Sequence, residues 1–491
     1  MSDLLDPIHH LLPLTLALML LLGLPAAPSH LAHLRLRRDP FGSRTRSEGV
    51  GFERHNHQVT LHRAGAVERR HGDAVLRLHF RRYADRDLAA HLFGRLQENS
   101  AIPTFRLTSR RQSGGTLPHS PTDHPILEPD MLKQFAVPEE IAVRIPGDAM
   151  RGAVHEIFTA CGMPEDDARR STDALLYADL RGIDSHGVSN MLRAYVAGFK
   201  SGDINPTPNW TIERDAPAAA TINCDRGLGL TVGPQAMELA IQKARNQGVA
   251  TVVCNNGGHF GAAAYHAQMA LEHDMIGLSM TVGGLLVAPT HGAQAMVGLN
   301  PMSIAAPANE EAPFIFDASM SSVAGNKIRL AQRLGEDLLP GWVATADGTP
   351  MMESGQTPDE FLMLPLGGTR EIGSHKGYSL AVMIDILSGI MANAGSALFR
   401  FNGVGHHFTV FNIASFTDVD EFKSHMDEYL KALRETPTAP GEERVIYAGL
   451  EEHEAEIDRS ERGIPYHPEV IEWFRSAFSD LGIHDHFAGI V

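Results

Sequence analysis

Cysteine is scarce. Cys161, Cys224 and Cys254 are the only three in 491 residues, too few to staple a chain of this size, and unpaired thiols suit a reducing compartment. Lysine is missing altogether from the first 130 residues, which hold 17 Arg, 13 acidic side chains and 12 of the 26 His. That segment balances at +4, so the rest of the chain carries −21 against a total of −17. A body that acidic repels phosphate backbones, which argues against nucleic acid as a partner. Familiar signatures are missing too. Without GxxxxGK[ST] there is no P-loop, without HExxH no zinc-protease helix, and without GxSxG no nucleophile elbow. Long apolar runs are absent but for one, Leu11 to Ala27, which at about 17 residues is at the short limit for a membrane span. The residues before it hold Asp3 and Asp6 and no cation, the wrong charge for a signal peptide. No membrane association is expected.

What is present begins with a break. From Arg35 to Arg111 the sequence is rich in Arg, His and Leu with no sustained period, and Pro118, Pro121, Pro125 and Pro129 make a linker. Residues 1–130 therefore read as a poorly ordered extension or as sequence upstream of a true start at Met131; a basic secreted or nucleic-acid-binding arm is the alternative. Beyond about Val137 the patterning is regular. Helices are predicted over Pro146–Gly162, Pro164–Leu180, Met191–Phe199, Pro234–Asn246, Ala262–His273 and Tyr378–Ala392. Strands are predicted over Ala218–Cys224, Val249–Cys254, Ile276–Val282 and Phe314–Asp317. Their alternation indicates an α/β layered core.

The motifs are individually weak. Asp225 to Gly233 gives GxGxxxG between a strand and a helix, close to a dinucleotide fingerprint, but the next strand ends Val253-Cys254-Asn255 with no acid to hold a ribose. Asn255 to Ala263 leaves a strand and opens a helix, a place where free backbone N–H groups can receive an anion. Asp184-Ser185-His186-Gly187 sets a hydroxyl beside an imidazole, and an imidazole exchanges protons near neutral pH; a helix-start His is the bland alternative. Asp317, Lys327 and Lys376 suit a cofactor or merely cap and solvate loop ends. His406-His407 lacks a third ligand at a familiar spacing, so no metal site is expected.

Order makes these pieces specific. RGIDSHGV at 181–188, NGGHFGAA at 256–263, LNP at 299–301, FDAS at 316–319, GWVATADGTP at 341–350, LPLGG at 364–368, HKGY at 375–378 and RGIP at 462–465 resemble the type-2 malate/L-lactate dehydrogenases across nearly all of residues 140–490. That family includes ureidoglycolate, sulfolactate and diketogulonate oxidoreductases and a cyclic-imine reductase. The resemblance implies an α/β (α+β-like), non-Rossmann NAD(P)-binding fold, with a largely antiparallel mixed sheet flanked by helices. It also implies a helical, substrate-side layer from 131–210 and 379–491, beside an NAD(P)-binding sheet domain over 211–378. GxGxxxG becomes a structural turn.

By the same resemblance His186 is the acid/base, Ser185 positions substrate or relays the proton, and Asp317 holds the site's polarity or orients the acid/base. Arg193, Asn190 and His259 would meet substrate. His259, Phe260, Gly261, Ala262, Ala263, Asp317, Ala318, Ser319, Lys327 and Lys376 would meet cofactor. Two departures stand out. Family members commonly carry Arg four residues after the catalytic His, where this chain has Asn190, with Arg193 one helical turn away as a substitute. A C-terminal PGE-like element reads Ala448-Gly-Leu450. The expected activity is hydride transfer between NAD or NADP, NAD preferred, and C2 of a 2-hydroxy/2-keto acid. Cyclic-imine 2-carboxylate reduction and an idle small-molecule-binding member are the alternatives. A cytoplasmic homodimer with its active site near the interface is expected.

Overall fold

The computed structural model describes residues 137–491 together with the backbone of four short strands between 48 and 74. The chain divides into two compact units, Met1–His119 and Ser120–Val491. In the first, Glu48–His55 pairs antiparallel with Gln58–Ala66, and Arg69–Arg70 with Asp73–Ala74. These hairpins fall where the sequence shows no strand period. The apolar run Leu11–Ala27 lies outside the described residues. Among the described residues no helix is long and apolar enough to cross a membrane.

The second unit opens with β1 (Val143–Ile145), α1 (Gly147–Ala160) and α2 (Glu165–Leu180). Pro146 and Pro164 stand immediately before the two helices, where a proline costs no hydrogen bond. A turn at Asp184–His186 leads into α3 (Val188–Ser201), which stops at left-handed Gly202. The C-terminal part supplies α8 (Val419–Arg434), α9 (Leu450–Arg462), β9 (Ile464–Tyr466) and α10 (Pro468–Leu481). β9 pairs antiparallel with β1. Met150, Ile157, Phe158, Leu175, Leu192, Tyr466, Phe474 and Phe487 share one buried core, so the two ends of this unit form a single helical layer.

The sheet is built from β2 (Thr211–Ala216), β3 (Ala219–Asn223), β4 (Val249–Gly257), β5 (Met275–Thr281), β6 (Met302–Ala306), β7 (Phe314–Ala318) and β8 (Val404–Asn412). Its order is β7-β6-β5-β8-β4-β3-β2. Only β3–β4 is parallel; every other neighbouring pair is antiparallel. Three helices connect these strands or flank the sheet: α4 (Gly229–Gln247), α5 (Ala263–Gln268) and α6 (Gly325–Leu334), followed by α7 (Ser374–Ile384). A second sheet of four short strands joins Leu285–Val287, Val297–Gly298, Phe361–Met363 and Val343–Thr345.

Three sequence expectations need correction. Residues 379–491 are not all helical layer, because β8 lies in the middle of the sheet between β4 and β5. Its consecutive histidines masked a strand buried on both faces. α4 begins five residues ahead of Pro234, because Gly229 and Gly233 let it run against Phe260 and His266, which a Cβ at either position would meet at 2.3 and 2.7 Å. Those glycines serve packing, not a pyrophosphate. Ala262–His273 is a short α5 followed by a separate turn at Leu271–His273.

His406 and His407 point to opposite faces of β8, as alternation requires. His406 bonds Thr281 and stacks on Phe260 with centroids 5.0 Å apart, whereas His407 bonds Thr409. Burial pushes His406 down to about 3, and His266 and His407 to about 4. An imidazole so depressed stabilises the fold above pH ~6.5, and that stability is lost as pH falls toward the folded value. Asp179, raised by burial to about 7, works in the opposite sense: its contribution is lost as pH rises. With His259, held at about 3, and Asp317, raised to about 7, four such imidazoles outnumber two such carboxyls. Between roughly pH 6.5 and 4, unfolding should take up about two protons and stability should fall by roughly 3 kcal/mol per pH unit. Urea midpoints in mildly acidic and neutral buffer check this; a flat or reversed trend contradicts it.

Candidate active site

The site starts from the end of α2. Asp179 is 1% exposed, and its Oδ2 accepts the Val188 N–H at 2.9 Å and the Tyr466 hydroxyl at 3.1 Å. A carboxyl from one helix therefore caps the next, satisfying an N–H that α3 cannot pair internally. Burial, then the neighbouring Asp184 charge, raise the group, while its hydrogen bonds and Arg459 oppose that rise. Arg459 also clamps Asp184 at 2.6 Å and donates to the Asp179 carbonyl. The short turn carrying Ser185 and His186 is thereby held from both ends. Gly187 is required for steric reasons: a Cβ there would lie 1.9 Å from Asp179 Oδ1. Gly187→Ala should cost about 2 kcal/mol through overpacking, read as a lower urea midpoint; an unchanged midpoint would contradict this tight approach.

His186 ends that turn, half-buried, with Nδ1 2.9 Å from Ser185 Oγ. Across from it lies His259, the two rings stacked with centroids 5.7 Å apart and 13° between planes. His259 Nδ1 accepts the Tyr195 hydroxyl at 2.7 Å and the Gly261 N–H at 3.2 Å, so its hydrogen resides on Nε2. Burial, reinforced by His186, holds His259 at about 3. Burial also lowers His186. Two uncharged imidazoles thus face one another, one placed to exchange a proton and one to donate an N–H. Asn326 at the start of α6 donates to the Ser185 carbonyl at 2.8 Å, bringing the adjacent half-buried Lys327, lowered by burial, to the same neighbourhood.

Other expected residues are placed differently. Asp317 accepts the Ala264 N–H at 2.6 Å, so a carboxylate of the chain itself occupies the helix start that the sequence offered to an external anion. Its side chain is accessible although protein surrounds it, as for a group facing a recess. Desolvation raises it to about 7. Phe260, Ala262 and Ala263 are buried, leaving a ligand mainly their backbone, and Gly261 adopts φ +77°, open to glycine at low cost. Ser319 bonds Ser321 beyond Ala318. Lys376 stands exposed on the first turn of α7, outside this hydrogen-bonded group. Asn190 donates to the Asp184 carbonyl. Arg193 is drawn to α10, where it pairs with Glu469 at 3.5 Å and stacks on Trp473.

Residues 145–475 match the malate/L-lactate dehydrogenase family. The chain belongs to that family. It is accordingly an oxidoreductase. A malate dehydrogenase of Pyrococcus abyssi is 38% identical over 352 residues, covering 70% of this chain and 97% of the relative. A ureidoglycolate dehydrogenase (NAD(+)) of Escherichia coli is 27% identical over 346 residues, 68% and 95% of the two chains. The solved malate dehydrogenase of Pyrococcus horikoshii superposes with a TM-score of 0.65 at 34% identity, covering 71% of this chain and 98% of that one. Sequence patterning missed Asp179, Tyr195, Arg459 and Tyr466. Asp179 alone left a signal, an acid four residues after Leu175 on the apolar face of α2.

Proposed function

We propose that this dehydrogenase transfers hydride between NAD(P) and C2 of a 2-hydroxy/2-keto acid, with NAD preferred to NADP. The observation carrying this is the facing pair of neutral imidazoles, His186 backed by Ser185 and His259 backed by Tyr195. The donor set fits a nicotinamide and its substrate: His259 presents a permanent N–H to a neutral carbonyl or carboxamide oxygen, and His186 is free to cycle its proton. When bound, nicotinamide supplies or accepts the hydride. The residues that would hold it are the backbone from His259 to Ala263, the Asp317–Ser319 strand end, and the cations Lys327 and Lys376. The protein moves the proton. With Nδ1 engaged by Ser185, His186 takes the hydroxyl proton at Nε2 during oxidation and returns it to the oxyanion during reduction. One relative's NAD(+)-dependence supports the cofactor preference.

The active form is proposed to be a cytoplasmic homodimer with its site near the interface, its only ligands small molecules. Supporting the dimer, Phe399 is 71% and Phe401 69% exposed, with Ile386, Ile390 and Met391 also in water, an apolar surface suited to a second copy. Phe399→Asp with Phe401→Asp should shift light scattering toward monomer; an unchanged mass places the interface elsewhere. The activity test is oxidation of NADH and NADPH by the full chain against 2-oxo acids and cyclic-imine 2-carboxylates. Turnover on oxo acids is expected. Turnover confined to imines, or coenzyme binding without turnover, would overturn the assignment.

A further inference from the structure

The last residues of the chain fold back onto α1. After α10 stops at left-handed Gly482, Phe487 buries itself against Phe474 and Phe478. The intervening His484-Asp485-His486 lies over the exposed side of α1, where both imidazoles converge on one carboxylate. Glu156 Oε2 is 2.5 Å from His486 Nε2 and 3.2 Å from His484 Nδ1. The two rings are 4.0 Å apart at 38°. All three candidate ligand atoms lie within 4.8 Å of one another, the one such group among the described residues.

This arrangement is built. His486 is only 15% exposed and rests on Phe478, and Gly152 leaves room for its ring, which a Cβ there would meet at 3.1 Å. The other nearby charges face elsewhere: Asp485 accepts the Phe487 N–H and approaches Arg475, and His155 pairs with Glu165. Sequence spacing weighed metal only at His406-His407 and missed this group because its carboxylate comes from a helix 328 residues before His484.

We infer that Glu156, His484 and His486 form a binding site for a divalent transition-metal ion of the zinc class, clipping the C-terminal segment to α1. Two imidazoles and a carboxylate are the ligand set of zinc-type sites, whereas magnesium and calcium take oxygen ligands. His484 is 70% exposed, so solvent reaches the ion and water completes a fourth position. Binding the folded state alone, the ion raises thermal stability.

The test is Zn2+ titration of the chelator-treated full chain by calorimetry, in parallel with His484→Ala and Glu156→Gln. Both substitutions lie on accessible side chains that the core does not need. Wild type should bind one more equivalent than either variant, or bind that equivalent at least about tenfold more tightly, and Zn2+ should raise its Tm by about 3 °C or more with the rise lost in the variants. The chain's other histidines make the difference between proteins the readout. Equal stoichiometry, affinity and Tm response in all three proteins, or no zinc binding by wild type, overturns the site.

Discussion

His186→Ala is expected to lower kcat by at least about 100-fold, the low end for loss of a general acid/base, with coenzyme affinity little changed. The side chain is half-buried and makes its ring hydrogen bond to Ser185, so its removal should spare the fold. His259 cannot take over. Held at about 3 and with Nδ1 committed to Tyr195 and Gly261, it has no proton to exchange near neutrality. The pH profile follows with its sign. In the proposed mechanism oxidation needs neutral His186, whose value burial puts below its ordinary 6.5. Activity in that direction should be level above it and fall as pH drops through the lowered value, while reduction should weaken as pH rises past it. Near-wild-type turnover by His186→Ala would end the assignment.

The second large effect is expected at Asp179, which is buried behind the His186 turn and bonded to Val188 and Tyr466. Asp179→Ala leaves the Val188 N–H and the buried Tyr466 hydroxyl without their shared acceptor and slackens the turn that carries His186. At about 1–3 kcal/mol for each buried group left unpaired, the loss should be about 3 kcal/mol or more, seen in the urea midpoint. Turnover should drop in the same variant. Asp179→Asn keeps an acceptor oxygen at the cap and should recover most of the lost kcat. A merely structural residue would leave kcat per folded molecule unchanged in Asp179→Ala. That result would remove Asp179 from the positioning role.

How much of this was legible in the sequence differs by scale. Helices with proline starts and glycine stops, such as α1 and α2, are local events, and the sequence placed them within a residue or two. The family resemblance supplied the antiparallel sheet that alternating elements alone would have made parallel. β8 escaped because two adjacent histidines conceal apolar burial, and their neutrality comes from burial under elements remote in sequence, such as those carrying Thr281 and Phe260. Ser185 and His186 were visible as a motif. Their supports were not, because Tyr466 and Arg459 lie more than 270 residues from the turn and reach it only through the β1–β9 pairing and the shared helical core. Arg193 illustrates the converse: helical spacing put it near the position of Asn190, and contacts with Glu469 and Trp473 turned it toward α10.

The central claim is direct hydride transfer at C2, and isotope transfer tests it most closely. The full chain would be incubated with a 2-hydroxy acid deuterated at C2 and oxidised coenzyme, and the products separated and weighed by mass spectrometry. Deuterium should appear in the reduced nicotinamide, one atom per 2-oxo acid formed, with none released to water. Deuterium in solvent, or oxo acid formed with unlabelled coenzyme, would contradict the account.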